Sequence, residues 1–301
     1  MHDYLRAIGF SNFKKKTSIS KLLDIVMESP DREYSLQPNE DGIIFAEKSR
    51  NFVVNGGITV RGEVDGNGIF SYDYYFPHYR GRSISMKEIV TTQKLPDRED
   101  YEGICEACDQ GMSMIFHLNR ISDYSAENME DTIDRYGNPI SRICGTNVRL
   151  SALSVGGKVL IPLCRQREGI GPGRTRKEAR SGTVGNEFLN PAADMVTGGS
   201  ELQNYVRAER RLPAEDVFSI VDSYFKPSAN GISYDQYSVL GDIIDCRTCR
   251  NQITGEMLYQ MLVSANGITV DVCMNSMDLY GEPEPGRRFL GDIWLQGDVQ
   301  V

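Results

Sequence analysis

Asn266-Gly267 constrains this chain more than any other feature, because it stands between two apolar-alternating runs at residues 256–263 and 268–274. Both central residues of a two-residue type I′ turn need positive φ, which asparagine and glycine tolerate, so the pair predicts a tight β-hairpin. A run at 238–245 precedes the hairpin, and another at 287–299 follows it across a short connection at 276–280. Residues 236–301 therefore read as a small antiparallel β module, loosely OB-like. Four strands are visible where that fold has five, unless the final run is divided in two at Gly291.

Upstream, Tyr4, Leu5 and Ile8 share one face of a short helix, and Gly9 stands where a left-handed C-terminal cap is expected. Ile19, Leu22, Leu23 and Val26 repeat at helical spacing, with Thr17 or Ser18 available as N-cap and Pro30 beyond the end. That stripe needs a sheet to cover, and runs at 42–48, 51–54, 58–64 and 69–76 supply one. The breaks between them carry Asn55-Gly56-Gly57 and Asp65-Gly66-Asn67-Gly68, residues suited to tight turns. Further strands are expected at Tyr101–Ala107, at Met112–Leu118 and at 148–155 and 158–163, the last two joined through Gly156-Gly157. Residues 123–139 are polar and read as a loop or a poor helix. Pro213, Glu215 and Asp216 open another helix with Val217, Ile220, Val221 and Tyr224 as its stripe and Lys226-Pro227 at its end.

The fold class expected is α+β, mainly antiparallel sheet with a few short helices. With 301 residues there is room for more than one domain. The expected division is a helix-plus-meander domain at 1–165, a Gly/Arg-rich loop and linker at 166–212, and a helix followed by a barrel-like module at 213–301. The 42 acidic side chains exceed the 33 basic ones, and the resulting charge of −9 disfavours nucleic acid as a partner. The N-terminus lacks the pattern of a signal peptide and no apolar run approaches the ~18 residues that cross a bilayer. The expectation is a cytoplasmic protein with no membrane partner, in which the seven cysteines are reduced.

Several blocks carry a resemblance. They are His2-Asp3-Tyr4-Leu5-Arg6-Ala7-Ile8-Gly9-Phe10, Tyr101-Glu102-Gly103-Ile104-Cys105, Glu215-Asp216-Val217-Phe218-Ser219-Ile220-Val221 and Asp235-Gln236-Tyr237-Ser238-Val239-Leu240-Gly241. With Gly286-Arg287-Arg288-Phe289 and Ile293-Trp294-Leu295-Gln296-Gly297 near the end, they resemble an uncharacterised family of clostridial, gut-type bacteria, domain of unknown function 3881. The resemblance runs nearly end to end and is weakest at 169–199. It implies no activity.

Three groups of residues offer chemistry. Cys105/Cys108 and Cys246/Cys249 are Cys-x-x-Cys pairs, and four thiolates could hold a structural zinc ion. The two pairs lie far beyond the ~15–20-residue span of a local zinc ribbon, and i, i+3 positions of a strand face opposite ways. Ordinary strand cysteines, with no cofactor, are therefore the favoured reading. The run from Tyr72 to Arg82 holds Tyr72, Tyr74 and Phe76, expected on one strand face, followed by His78, Arg80 and Arg82. Such residues could stack a base or a sugar, although strands gather aromatic residues for packing alone. Arg174, Arg176 and Lys177 belong to a Gly-rich basic loop that matches neither a P-loop nor a dinucleotide fingerprint.

No catalytic residue is nominated, since the three histidines sit in no hydrolase or metalloprotease context. The leading expectation is a non-catalytic binding or interaction protein whose partner is another protein or a second copy of itself. The alternatives are a binder of single-stranded nucleic acid or nucleotide, and an enzyme whose site is assembled from residues distant in sequence.

Overall fold

The computed structural model describes residues 2–36, 38, 42–82, 86–87, 90–94, 101–107, 112–120, 129–133, 139–143, 147–160, 224–227 and 235–300. Among these, strands predominate, beside one α-helix, α1 (Lys16–Glu28), and short 3₁₀ turns at His2–Ile8 and Ser276–Asp278. No described helix is long and apolar enough to cross a membrane.

The first sheet is an antiparallel meander of β1 (Arg32–Ser35), β2 (Ile44–Val53), β3 (Gly56–Val64) and β4 (Phe70–Tyr79). Asn55 at φ 60° and Gly68 at φ 79° close its two tight turns, as their residue types predict. Residues 51–54 are not a separate strand: β2 absorbs the irregularity as a register shift between Asn51 and Val53. The predicted stripe of α1 is buried, and it packs with Ile58 and Val60 of β3 in one core cluster. Neither Thr17 nor Ser18 caps α1, because the helix begins at Lys16 and leaves both inside its first turn; Lys15 is the N-cap, without a side-chain hydrogen bond.

The remaining strands are β5 (Met86–Lys87), β6 (Val90–Lys94), β7 (Tyr101–Ala107), β8 (Met112–Leu118), β9 (Met129–Ile133), β10 (Pro139–Ile143), β11 (Asn147–Leu160), β12 (Tyr224–Pro227), β13 (Gln236–Arg250), β14 (Met257–Ala265), β15 (Ile268–Asn275), β16 (Leu279–Tyr280) and β17 (Arg288–Gln300). Five of them close a barrel. β13, β14 and β15 follow one another antiparallel, β11 runs parallel to β15, β17 pairs antiparallel with β11, and β17 returns to β13. β13 serves two neighbours because it is long and bulged: residues 236–242 lie beside β17 and residues 242–250 beside β14. β17 passes through Gly291 unbroken, so the fifth strand comes from 147–160 and not from a division of the last run. The sequence predicts a mainly antiparallel sheet; the second sheet is mixed, with β11 parallel to β15, since β11 enters from outside the hairpin series and its direction is free of hairpin constraint. Beyond the barrel, β17 meets β8 in parallel, and the sheet continues through β7, β6, β10 and β9.

Tertiary packing overrides local signals at three further places. Gly156-Gly157 is a bulge inside one strand and not a hairpin: β17 follows both halves of β11, and a Cβ at Gly157 would lie 2.5 Å from the Phe289 ring. Within 123–139, read as a loop or poor helix, residues 129–133 form β9, paired with β10. Tyr224, Lys226 and Pro227 are strand, not the end of a helix, because the free edge of β13 pairs with them. The rest of that predicted helix lies outside the described residues.

Inside the barrel, Leu150, Ile243, Val263, Val272 and Leu295 belong to one buried cluster. Period-two alternation sends their neighbours Leu153, Cys273 and Trp294 outward into a second cluster with Leu5, Ile8, Phe10, Phe76 and the α1 stripe. The molecule is thus layered as helix, first sheet, barrel wall and barrel core.

Candidate functional site

The face of the first sheet opposite α1 is polar and buried. Glu47 and Ser49 of β2 stand beside Arg61 and Thr59 of β3, which in turn oppose Tyr74 and Phe76 of β4. Side chains on a strand alternate, so the residues between those facing the helix must face the barrel wall. Glu47, Ser49, Thr59, Arg61 and His78 are all buried there. Buried polar groups need partners, and here they have them. Arg61 donates through Nε to Glu47 Oε2 at 2.9 Å, through one terminal nitrogen to the Tyr74 hydroxyl at 3.1 Å, and through the other to the Leu118 carbonyl at 2.9 Å. Its guanidinium lies 4.7 Å from the centre of the Phe76 ring, a cation–π contact.

From the barrel side, Gln296 of β17 accepts from the Tyr79 backbone N–H at 2.9 Å and donates to the Pro77 carbonyl at 2.9 Å. Trp294 donates its indole N–H to Asp235 at 2.6 Å. His117 packs between the Phe76 ring, 4.4 Å away, and the Trp294 ring, 5.2 Å away. His78 has both nitrogens engaged, Nδ1 with Thr59 Oγ1 at 2.9 Å and Nε2 with Asn51 Oδ1 at 3.0 Å. An amide oxygen can only accept, so Nε2 carries the hydrogen and Nδ1 accepts from the threonine hydroxyl. Burial holds the His78 pKa well below its ordinary value, and Arg80, Arg120, Arg32 and Arg61 add to the effect. This histidine is a neutral spacer among arginines.

Past His78 the seam becomes cationic. Arg80 continues β4, Arg120 follows β8, and Arg149 lies on β11 directly opposite Asp298 of β17. Gly81 brings β4 onto β11: a Cβ there would stand 2.8 Å from the Leu150 carbonyl oxygen and 3.6 Å from Arg149 Cβ. Asp298 is buried and receives Arg120 Nε at 2.8 Å. Arg80 Nε and Arg149 Nε are buried nitrogens with no hydrogen-bond partner among the described residues. Burial lowers the Arg80 pKa; Asp298 pulls it up, while Arg120 and Arg32 push it down. The Arg80 guanidinium does not lose its proton at ordinary pH, so it places a largely buried positive charge beside Asp298.

Of the residues singled out from sequence, Phe76, His78 and Arg80 lie on this seam, whereas Arg82 turns to carboxylates of β15 and β13. Tyr74 stacks on Phe76 with ring centres 6.3 Å apart. Tyr72 does not share their face: a register shift between Arg61 and Gly62 sets Tyr72 opposite Gly62 while Tyr74 opposes Arg61, and Tyr72 is exposed. Arg82 is bound to Asp271 through its backbone N–H at 2.7 Å and Nε at 2.8 Å, and to Asp245 at 3.0 Å. Burial works to lower the Arg82 pKa, but its two carboxylate partners outweigh that and raise it. Arg174, Arg176, Lys177 and Cys108 lie outside the described residues.

Cys105 is buried in the barrel-side cluster, Cys246 packs against that cluster, and Cys249 lies on the side of Val54 and Cys273. Burial raises the thiol of Cys246 to about 11 and that of Cys249 above its ordinary value. Among the described residues no group of three or more His, Cys, Asp or Glu is placed to hold a metal ion. Arg120, Arg149 and Asp298 were not anticipated from sequence. For Arg149 and Asp298 the signal was their position as polar residues on otherwise apolar strands, a pattern that normally marks a solvent face.

A family model described as "Domain of unknown function, E. rectale Gene description (DUF3881)" matches residues 5–297. No curated protein and no solved structure matches the chain.

Proposed function

The chain belongs to the DUF3881 family, and because that description carries no activity we propose from geometry that it is a non-catalytic binding protein for an anionic ligand. The ligand would sit where the end of β4 crosses β11 and β17. One observation carries this reading: Arg80 and Arg149 keep buried Nε donors without partners beside Asp298, which is already bonded to Arg120. Buried donors normally find acceptors, and an incoming anion supplies them.

The barrel supports a binding role and directs it. Its pairing order, β13-β14-β15-β11-β17 and back to β13, is compatible with a circularly permuted OB-like barrel in which the upstream strand β11 would take the place of the last strand. OB barrels bind oligonucleotides and oligosaccharides on the face of their second and third strands, here β14 and β15. The chain's own N-terminal region lies on that wall. Gln260 donates to the Val54 carbonyl at 2.6 Å, Asn275 to the Arg6 carbonyl at 3.3 Å and Asn251 to the Ile8 carbonyl at 2.8 Å. A covered wall offers no stacking surface to single-stranded nucleic acid, which favours the arginine corner as the binding place.

The test is thermal unfolding in sulfate against chloride at matched ionic strength, for the natural chain and an Arg80→Gln/Arg149→Gln variant. A melting temperature raised by sulfate in the natural chain, with a clearly smaller rise in the variant, is expected. Equal rises in both would mean that sulfate acts through general exclusion from the surface, and the site assignment would fall.

A further inference from the structure

The N-terminal segment is held on the barrel as a peptide ligand is held. Four consecutive carbonyls, those of Arg6, Ala7, Ile8 and Gly9, each accept from a different barrel side chain. The donors are Asn275 Nδ2 at 3.3 Å, Cys273 Sγ at 3.5 Å, Asn251 Nδ2 at 2.8 Å and Thr254 Oγ1 at 2.6 Å. Both asparagines are preset for this role. Asn251 Oδ1 accepts from the Ile253 and Thr254 N–H groups, and Asn275 Oδ1 accepts from the Met277 N–H, which fixes each amide before the segment arrives. Main-chain contacts of this kind give affinity, and side-chain pockets add specificity. Leu5, Ile8 and Phe10 are buried, and a Cβ at Gly9 would stand 2.7 Å from Asn251 Cβ. Arg6 grips Asp278 with both edges of its fork, Nε to Oδ2 at 2.8 Å and a terminal nitrogen to Oδ1, and Ser11 Oγ donates to Glu256 Oε1 at 2.6 Å.

The way the segment is tethered says what else can fill this groove. Among the described residues, no backbone hydrogen bond ties residues 2–10 to the barrel. The segment reaches α1 through residues 11–15, and Lys14, Lys15 and Lys16 at the end of that connector are all exposed. Like charges in sequence repel and favour an extended connector over a turned one. A foreign peptide would have to better the contacts of the resident segment, whereas a second copy brings the identical segment and restores every one of them. Closed and exchanged forms then differ only in the connector and in the entropy of association.

We infer that the groove formed by Asn251, Thr254, Glu256, Cys273, Asn275 and Asp278 is a peptide-binding site that takes residues 5–11 of a second copy, giving a dimer by reciprocal exchange of N-terminal segments. None of these residues belongs to the arginine corner, so the two assignments stand or fall separately. The resident segment competes at the effective concentration its short connector sets, so exchange is favoured by concentrated protein and by a weakened contact within one chain.

The experiment uses the Arg6–Asp278 pair as a label. Arg6→Asp and Asp278→Arg are made separately in the full chain, and each sets like charges together when a segment lies in its own groove. In an equimolar mixture, exchange brings opposite charges together at both grooves. After incubation just below the melting temperature, light scattering should show at least about tenfold more dimer in the mixture than in either variant alone at the same total concentration. The Arg6→Asp/Asp278→Arg chain, whose charges match within one molecule, should show no such excess. A mixture as monomeric as its components would overturn the exchange. Dimer equally abundant in the separate variants would overturn it too, because dimerisation would then use another surface. Should either variant fail to fold, a fluorescent peptide of residues 2–13 incubated with the natural chain serves instead. Its anisotropy should rise, and rise far less when the peptide carries Arg6→Asp; no rise, or equal rises, would overturn the inference.

Discussion

Replacing Arg61 by leucine tests the seam most directly. The Arg61 side chain is fully buried and Glu47 is 6% exposed, so their 2.9 Å ion pair lies out of water. Arg61→Leu deprives Glu47 of that partner and takes the hydrogen-bond donors from the Leu118 carbonyl and the Tyr74 hydroxyl. Breaking a buried pair by removing one ion costs about 3–5 kcal/mol, most of it the penalty of the charge left behind. Removing both charges avoids that penalty. The Glu47→Leu/Arg61→Leu double variant should therefore be more stable than Arg61→Leu by about 2 kcal/mol or more. Urea unfolding followed by tryptophan fluorescence reads both, because the chain has one tryptophan, Trp294, buried against His117. The slope against urea should stay constant, so that shifts of the midpoint report stability. A single variant that loses less than about 1 kcal/mol, or a double variant no better than the single, would refute the view that Glu47 depends on Arg61 in a dry seam.

Gly267 adopts φ 78° in the β14–β15 turn, so Gly267→Val should cost about 1–3 kcal/mol in the same urea assay; unchanged stability would mean that the turn relaxes freely. Gly9→Ala should be at least as harmful, because Gly9 has φ 88° and an added Cβ would stand 2.7 Å from Asn251 Cβ; melting within a degree of the natural chain would contradict the packing described. Trp294→Phe withdraws the indole donor from buried Asp235 and should cost about 1–3 kcal/mol, with a result near zero counting against that hydrogen bond. Alkaline pH should destabilise the fold. Cys246 is raised from 9.0 to about 11, and Tyr4 and Tyr237 from 10.0 to about 12, chiefly by burial. Their folded pKa values exceed the unfolded ones, so the stability they contribute is complete below pH 9 and lost as pH rises toward about 12. A midpoint in urea that stays level from pH 8 to 11 would contradict this.

The parts of this protein determined by local sequence are those set by local physics. Positive φ at Asn266-Gly267, the 3.6-residue stripe from Ile19 to Val26 and the alternation in Tyr101–Ala107 and Met112–Leu118 depend on near neighbours, and all appear where their patterns place them. The aromatic and basic run ending at Arg82 was also legible as a candidate site, because its residue types are unusual wherever they fold. Tertiary structure alone decided the rest. A Gly-Gly step is a turn or a bulge according to whether a partner strand follows both sides, and β17 does follow β11 past Gly156-Gly157. Tyr224 to Pro227 became strand because the edge of β13 was there to pair with. The arginine corner was hidden for a related reason. An alternating polar residue such as Arg61, Gln296 or Asp298 gives the same pattern whether water or a second sheet covers it, and only the meeting of β4 with β11 and β17 shows that these are buried against one another.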